Sequence, residues 1–277
     1  MIKRRLDAEM VRRGMVPSRE AARRLIVDRQ VLVGGSFADK PARMVATDQA
    51  ITLAAPPPPF VSRAGQKLAG ALEVFAVDPS GLYCLDAGSS TGGFTDCLLQ
   101  RGAERVVAVD VGTNQLHERL RADPRVDVRE QTDIRSISLS DFDRPFDLVV
   151  GDLSFISLRL VLPSLAQLVA SGGRLLLLVK PQFEAGRQEV SRGKGVITDP
   201  DLWRTTVADV LFSAIEVGLT PRGLVPSSIR GTRGNVEFVV WLINQPSTIS
   251  DSPDVEALVD TAVAQACVAV RQEAENR

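Results

Sequence analysis

Beyond residue 60 the chain alternates short aliphatic runs with helix-like stretches, and this alternation limits the possible folds more than any other feature. The runs are Tyr83–Asp86, Arg105–Asp110, Val126–Glu130, Asp147–Gly151, Arg174–Lys180 and Glu237–Ile243. Helix patterns fit between most of them, at Phe94–Arg101, Gln115–Arg121, Leu160–Ala170 and Trp203–Val217. Leu175 to Val179 is aliphatic at every position, as a strand covered on both faces should be. Strands that alternate with helices pair in parallel through crossovers, so the pattern predicts a doubly wound α/β sheet. Such a sheet takes its ligand at the strands' carboxyl ends.

Ahead of this region, Ala54-Ala55-Pro56-Pro57-Pro58-Pro59 is a semi-rigid spacer. It divides a first domain, 1–55, from a linker, 56–62, and a larger domain, 63–246, with an acidic linker and helix at 247–277. In the first domain Asp7–Arg13 and Ser18–Asp28 read as short helices, and Ser18 is placed to cap the second. Val31–Val33 and Ile51–Leu53 read as strands, with a turn at Gly34-Gly35. Residues 1–62 hold eleven Lys or Arg against six Asp or Glu, a net +5 in a chain whose overall charge is −1. A basic module suits phosphate, because cations release condensed counterions from nucleic acid. Arg5-Leu6-Asp7, Ser18-Arg19-Glu20-Ala21-Ala22, Ile26, Val31-Leu32-Val33-Gly34-Gly35, Lys40-Pro41 and Asp48 together resemble the S-four-type RNA-binding domain. The resemblance implies a small α+β fold over residues 4–53, with Arg5, Arg19, Arg23, Arg24 and Lys40 facing RNA, joined by Arg63 beyond the linker.

The sharpest local motif is Leu85-Asp86-Ala87-Gly88-Ser89-Ser90-Thr91-Gly92-Gly93-Phe94-Thr95. It leaves a strand, turns on glycines and opens a helix, so a ligand can approach the backbone closely. The dinucleotide fingerprint G-x-G-x-x-G needs a glycine at position 90, where serine stands. Asp86 would also repel a pyrophosphate, yet it would welcome a sulfonium or ammonium group. The loop looks like the D-x-G-x-x-x-G-G element of methyltransferases, with Asp86, Gly88, Ser89, Gly92, Gly93 and Phe94 at the cofactor. Asp110, ending the next strand, could accept from ribose hydroxyls. Asp133 could accept from an adenine amine, with Ile134 beside the ring.

Four more charged residues stand near element ends: Lys67 in Ser62-Arg63-Ala64-Gly65-Gln66-Lys67, Asp152 in Gly151-Asp152-Leu153-Ser154-Phe155, Lys180 in Val179-Lys180-Pro181, and Glu237 in Asn235-Val236-Glu237. A lysine that ends a buried strand needs a partner. With these residues the chain resembles the TlyA family of rRNA 2′-O-methyltransferases, also called hemolysins, over residues 4–243. Its larger domain is similar to the FtsJ/RrmJ methyltransferases. The resemblance implies a Rossmann-like methyltransferase sheet of about seven strands, mostly parallel, with the last antiparallel. It implies S-adenosyl-L-methionine as cofactor, with Asp152 also near it, and a cytidine ribose of 16S or 23S rRNA as acceptor. The family's Lys-Asp-Lys-Glu tetrad falls on Lys67, Asp152, Lys180 and Glu237. Lys180 would then be the base or hydroxyl-orienting group, Lys67 a neighbouring like charge, and the two acids their counterweights. Pro58-Pro59-Phe60-Val61 departs from the family's Arg-x-Trp-Val linker motif.

Other classes fit less well. Cys84, Cys97 and Cys267 show no metal or disulfide spacing, and His117 is the single histidine, so no metal is expected. No apolar run approaches the roughly 18–20 residues of a spanning helix, and no signal core follows the basic N-terminus. The expectation is a cytoplasmic protein that works on ribosomal RNA or ribosomal subunits without inserting into a membrane. A membrane-active hemolysin would call for a spanning segment, a signal peptide or a strongly amphipathic cationic helix, and the sequence offers none of them. A non-catalytic ribosome-assembly protein would show a decayed tetrad or glycine loop, and both are intact.

Overall fold

The computed structural model describes residues 3–54, 58–186, 193, 195–245 and 254–275. Residues 55–57 of the proline run and 247–253 of the tail lie outside them. The chain divides into two units, Met1–Pro58 and Pro59–Arg277.

The smaller unit runs β1 (Lys3–Arg5), α1 (Leu6–Arg12), α2 (Arg19–Val27), β2 (Val31–Val33), β3 (Ser36–Phe37), β4 (Met44–Ala46) and β5 (Ile51–Leu53). β1 pairs with β4, and β2 pairs with β3 and β5, all antiparallel. Ser18 starts α2 as the sequence predicts, its Oγ accepting from Ala21 N at 3.1 Å. Leu6 and Met10 of α1 meet Ala22 and Ile26 of α2 and Val31 and Val33 of β2 in one buried core.

The larger unit is built on α3 (Ala64–Val74), β6 (Tyr83–Ala87), α4 (Gly93–Gln100), β7 (Arg105–Val109), α5 (Glu118–Arg121), β8 (Val126–Arg129), β9 (Phe146–Gly151), α6 (Leu162–Leu168), β10 (Val169–Val179) and α7 (Pro181–Glu184). After these come α8 (Pro200–Glu216), β11 (Thr220–Pro226), β12 (Phe238–Ile243) and α9 (Val255–Glu275). The seven strands lie in the order β11-β12-β10-β9-β6-β7-β8. β8, β7, β6, β9 and β10 are parallel, and β12 runs against both neighbours, β10 and β11. Strand side chains alternate between two buried layers, which gives the aliphatic runs their all-apolar look. Leu85, Val107, Val149, Leu175 and Leu177 face α6, α8 and α9, whereas Cys84, Val106, Leu148, Leu176 and Leu178 face α3 and α4.

Some boundaries differ from the sequence reading. The stretch at Gln115–Arg121 forms helix only from Glu118, and exposed His117 caps it by accepting from Arg119 N at 3.1 Å on Nδ1. Helix α6 stops at Leu168 and the strand begins at Val169, with a register shift before Arg174. Three short strands of the small unit, α3, α7 and β11 went unread.

Candidate active site

The order in which the parallel strands are added reverses between β6 and β9, and the carboxyl ends at such a point form a natural crevice. Ala87 pairs with Gly151 there, so Gly88 and Asp152 emerge side by side. Gly88 has φ +81°, and a Cβ on it would lie 3.0 Å from Leu153 Cδ2 and 3.4 Å from Asp152 O. Only glycine suits that turn. Farther along the sheet, Val179 pairs with Phe238, which sets Lys180 beside Glu237. Helix α3 supplies Lys67 from the layer above.

These placements join the four tetrad residues in one continuous chain. Lys67 Nζ lies 2.6 Å from Glu237 Oε2 and 3.5 Å from Asp152 Oδ2. Asp152 Oδ1 lies 2.6 Å from Lys180 Nζ. Lys180 Nζ also donates to Ser154 Oγ at 2.8 Å and stands 5.6 Å from the centre of the Phe183 ring. Gln182 Nε2 reaches Glu237 Oε1 at 3.5 Å. Asp152 sits between the two lysines, so they meet through a carboxylate and not as adjacent like charges. Lys67, Lys180 and Glu237 are buried, and two cations balance two anions. Removing one member would leave an uncompensated buried charge, a loss of about 3–5 kcal/mol for such pairs.

The tetrad lines a cavity of about 790 Å³, within the usual size range for a cofactor-sized ligand. Gly88, Ser89, Ser90, Thr91 and Phe94 form one wall, and Ser154, Phe155 and Phe183 stand with Lys180. Arg63 also lines it. Phe155 was not singled out from sequence. It is 91% exposed and has φ +65°, a strained value for an aromatic residue. Its ring centre lies 5.3 Å from that of Phe183. An unusual backbone angle leaves no mark in sequence.

Other expected cofactor residues stand outside the lining, each for a physical reason. Asp86 is fully buried beneath the turn, where Oδ2 accepts from Thr95 N at 2.9 Å and from Thr95 Oγ1 at 2.6 Å. It anchors the start of α4, and Oδ1 has no hydrogen-bond partner among the described residues. Gly92 and Gly93 admit close packing: a Cβ would collide with Leu120 at the first and with Ser62 Oγ at the second. Asp110 spends both oxygens on the loops, accepting from Ser90 N at 2.8 Å and Gly112 N at 2.7 Å. Asp133 caps a short turn and pairs with Arg135 at 2.6 Å. Ile134 points into the core. Sequence reasoning missed Glu130, whose carboxylate accepts from the N–H groups of Asn114, Gln115 and Leu116 and so folds the loop after β7.

The cavity fits S-adenosyl-L-methionine. The glycine turn leaves room that a Cβ would fill, three hydroxyls and an aromatic ring line the wall, and Asp152 offers a carboxylate to a cationic ligand. Among the described residues no group of three or more His, Cys, Asp or Glu is placed to hold a metal.

In the smaller unit, buried Asp7 gathers Arg5 and Arg19 at 3.0 Å each and Arg23 at 3.5 Å. Arg24 pairs only loosely with Glu20, at 3.8 Å, and Lys40 is exposed.

Residues 60–244 match the FtsJ-like methyltransferase family, and residues 4–51 match the S4 domain. The 16S/23S rRNA (cytidine-2′-O)-methyltransferase TlyA of Mycobacterium tuberculosis is 44% identical over 94% of this chain and 97% of its own. Hemolysin A of Brachyspira hyodysenteriae is 36% identical over 86% of this chain and 99% of its own. A solved structure titled as a hemolysin, from Streptococcus thermophilus, superposes with TM-score 0.74 at 38% identity, covering 99% of each chain.

Proposed function

The chain belongs to the FtsJ-like methyltransferase family and to the TlyA group within it, and from that premise we propose that it methylates the 2′-hydroxyl of a cytidine ribose in 16S or 23S rRNA. The unbroken Glu237–Lys67–Asp152–Lys180 chain at the carboxyl ends of the sheet carries this reading. When bound, S-adenosyl-L-methionine supplies an electrophilic sulfonium methyl.

The protein's part is to hold the acceptor and manage one proton. A ribose hydroxyl is a weak acid and must lose its proton as the oxygen attacks. Lys180 Nζ orients that oxygen and, in its amine form, takes the proton; Asp152 Oδ1 then stabilises the ammonium formed. Ser154 Oγ fixes the Lys180 side chain, and Lys67 and Glu237 hold Asp152 from behind. Alignment of donor, methyl and acceptor supplies much of the acceleration. Phe155 offers an open aromatic face at the mouth, suited to stacking an unpaired base. The basic S4 domain supports an rRNA or ribosomal-subunit partner, and a partner of that kind favours a cytoplasmic enzyme.

A membrane-active reading has less support: among the described residues no helix is long and apolar enough to cross a membrane.

The test is Lys180→Ala in the full chain with purified rRNA. Methyl transfer should fall at least ~100-fold, the scale of a lost acid–base group, while cofactor affinity holds within a few-fold. Turnover near wild type would refute the role given to Lys180. Mapping 2′-O-methyl groups on rRNA from cells with and without the gene identifies the nucleotide.

A further inference from the structure

The cavity carries a charge imbalance that the tetrad does not explain. Within the tetrad two ammonium groups offset two carboxylates. Arg63, Arg230 and Arg233 also line the cavity, so five cations face two carboxylates in its walls. Glu273, in the last turn of α9, offsets one of them, meeting Arg230 Nη2 at 3.0 Å. Among the described residues two positive charges remain in excess. Arg63 and Arg233 have no carboxylate partner among the described residues; Arg63 Nη2 donates instead to the Arg230 carbonyl at 3.3 Å.

The loop that bears Arg230 and Arg233 lies directly on the tetrad. A Cβ on Gly231 would come within 2.5 Å of Glu237 Oε1. Gly231 N donates to Asn235 O at 3.0 Å, and Gly234 N to Gly231 O at 2.8 Å, so the turn is closed. Glu273 binds Arg230 along its Nε–Nη2 edge and leaves Nη1 without a partner among the described residues. S-adenosyl-L-methionine, with one carboxylate against an ammonium and a sulfonium, is itself cationic. An anionic acceptor would supply the negative charge that the described lining lacks.

We propose that Arg63, Arg230 and Arg233 form a phosphate-binding rim that grips the RNA backbone beside the nucleotide whose ribose enters the cavity. The proposal rests on the RNA-methylation reading and adds where the phosphates are held. Guanidinium groups suit the task because their planar fork matches phosphate oxygens.

The experiment uses the full-length protein with purified rRNA over a range of KCl concentrations, comparing wild type, the double variant R230A/R233A, and R230K/R233K. In the alanine variant the loss should appear in KM for RNA, at least ~10-fold, and not in kcat, and calorimetry should give unchanged cofactor affinity. The slope of log affinity against log salt should shrink by about one per arginine removed. The lysine variant should restore the salt slope, since it keeps the charge, and recover KM only in part, since it lacks the planar fork. An alanine variant with wild-type KM and salt slope would overturn the rim and leave methylation standing. Wild type that binds rRNA with an arginine-dependent slope yet transfers no methyl would support the rim and defeat the methylation reading.

Discussion

Asp86 shows how one buried carboxylate can serve a turn at the expense of stability. Desolvation pushes it up to about 7, against two hydrogen bonds from Thr95 that favour the ionised form, and Asp152 and Asp110 add repulsion. Its ordinary value is 3.8. Folding therefore raises its proton affinity, and between those two values the folded state holds more proton than the unfolded state. By linkage, stability from this group is fully present below the lower value and declines as pH rises through the higher one. Asp86→Asn removes the ionisation. The melting temperature of the variant minus that of wild type should then climb by a few degrees from pH 5 to pH 8, as seen by scanning calorimetry. An equal difference at both pH values would show that Asp86 is already ionised in the fold at pH 5, its proton affinity not raised by burial.

At the scale of elements, α1 carries the opposite electrostatics. Glu9 is fully buried, and Arg12 and Arg13 hold it down to about 2 from an ordinary 4.5, against some desolvation. Asp7 is held well below its usual range, first by Arg5 and then by Arg19. A depressed folded value stabilises above the unfolded value and fails as pH drops. Amide protection across residues 3–53 should therefore collapse between pH 4.5 and about 2. In Glu9→Gln protection should be lower at neutral pH and respond less to acid, and hydrogen exchange at several pH values would read both. The elements differ in how plainly the sequence states them. The aliphatic strands of the sheet and the Ser18-capped helix were legible because period and cap chemistry are local. Helix α3, which bears Lys67, was not: it holds Gly65 and Gly70 and has no side-chain cap at Arg63. β11 escaped because Pro221, Gly223 and Pro226 interrupt it, and such residues are tolerated on the edge strand it forms. The tetrad was found through its flanking motifs. Its pairing, with Asp152 between the lysines, follows from register and from α3, and neither is local.

At the scale of the whole molecule, the division of labour follows the two cores. The larger unit contains both layers of the sheet and every residue that lines the cavity. The smaller unit has its own core and the arginines gathered by Asp7 and Glu9. Cofactor binding and RNA affinity should then separate when the chain is cut at the boundary between Pro58 and Pro59. A chain of residues 59–277 is expected to fold and to bind S-adenosyl-L-methionine within a few-fold of the full protein, since no wall of the cavity is lost. Its KM for rRNA should rise at least ~10-fold, and its salt dependence should flatten as phosphate contacts go. Calorimetry for the cofactor and initial rates over a range of rRNA concentrations make the comparison. A folded fragment that had lost the cofactor would mean that the smaller unit helps to build the methyl-donor site, and the separation argued from the cores would fail.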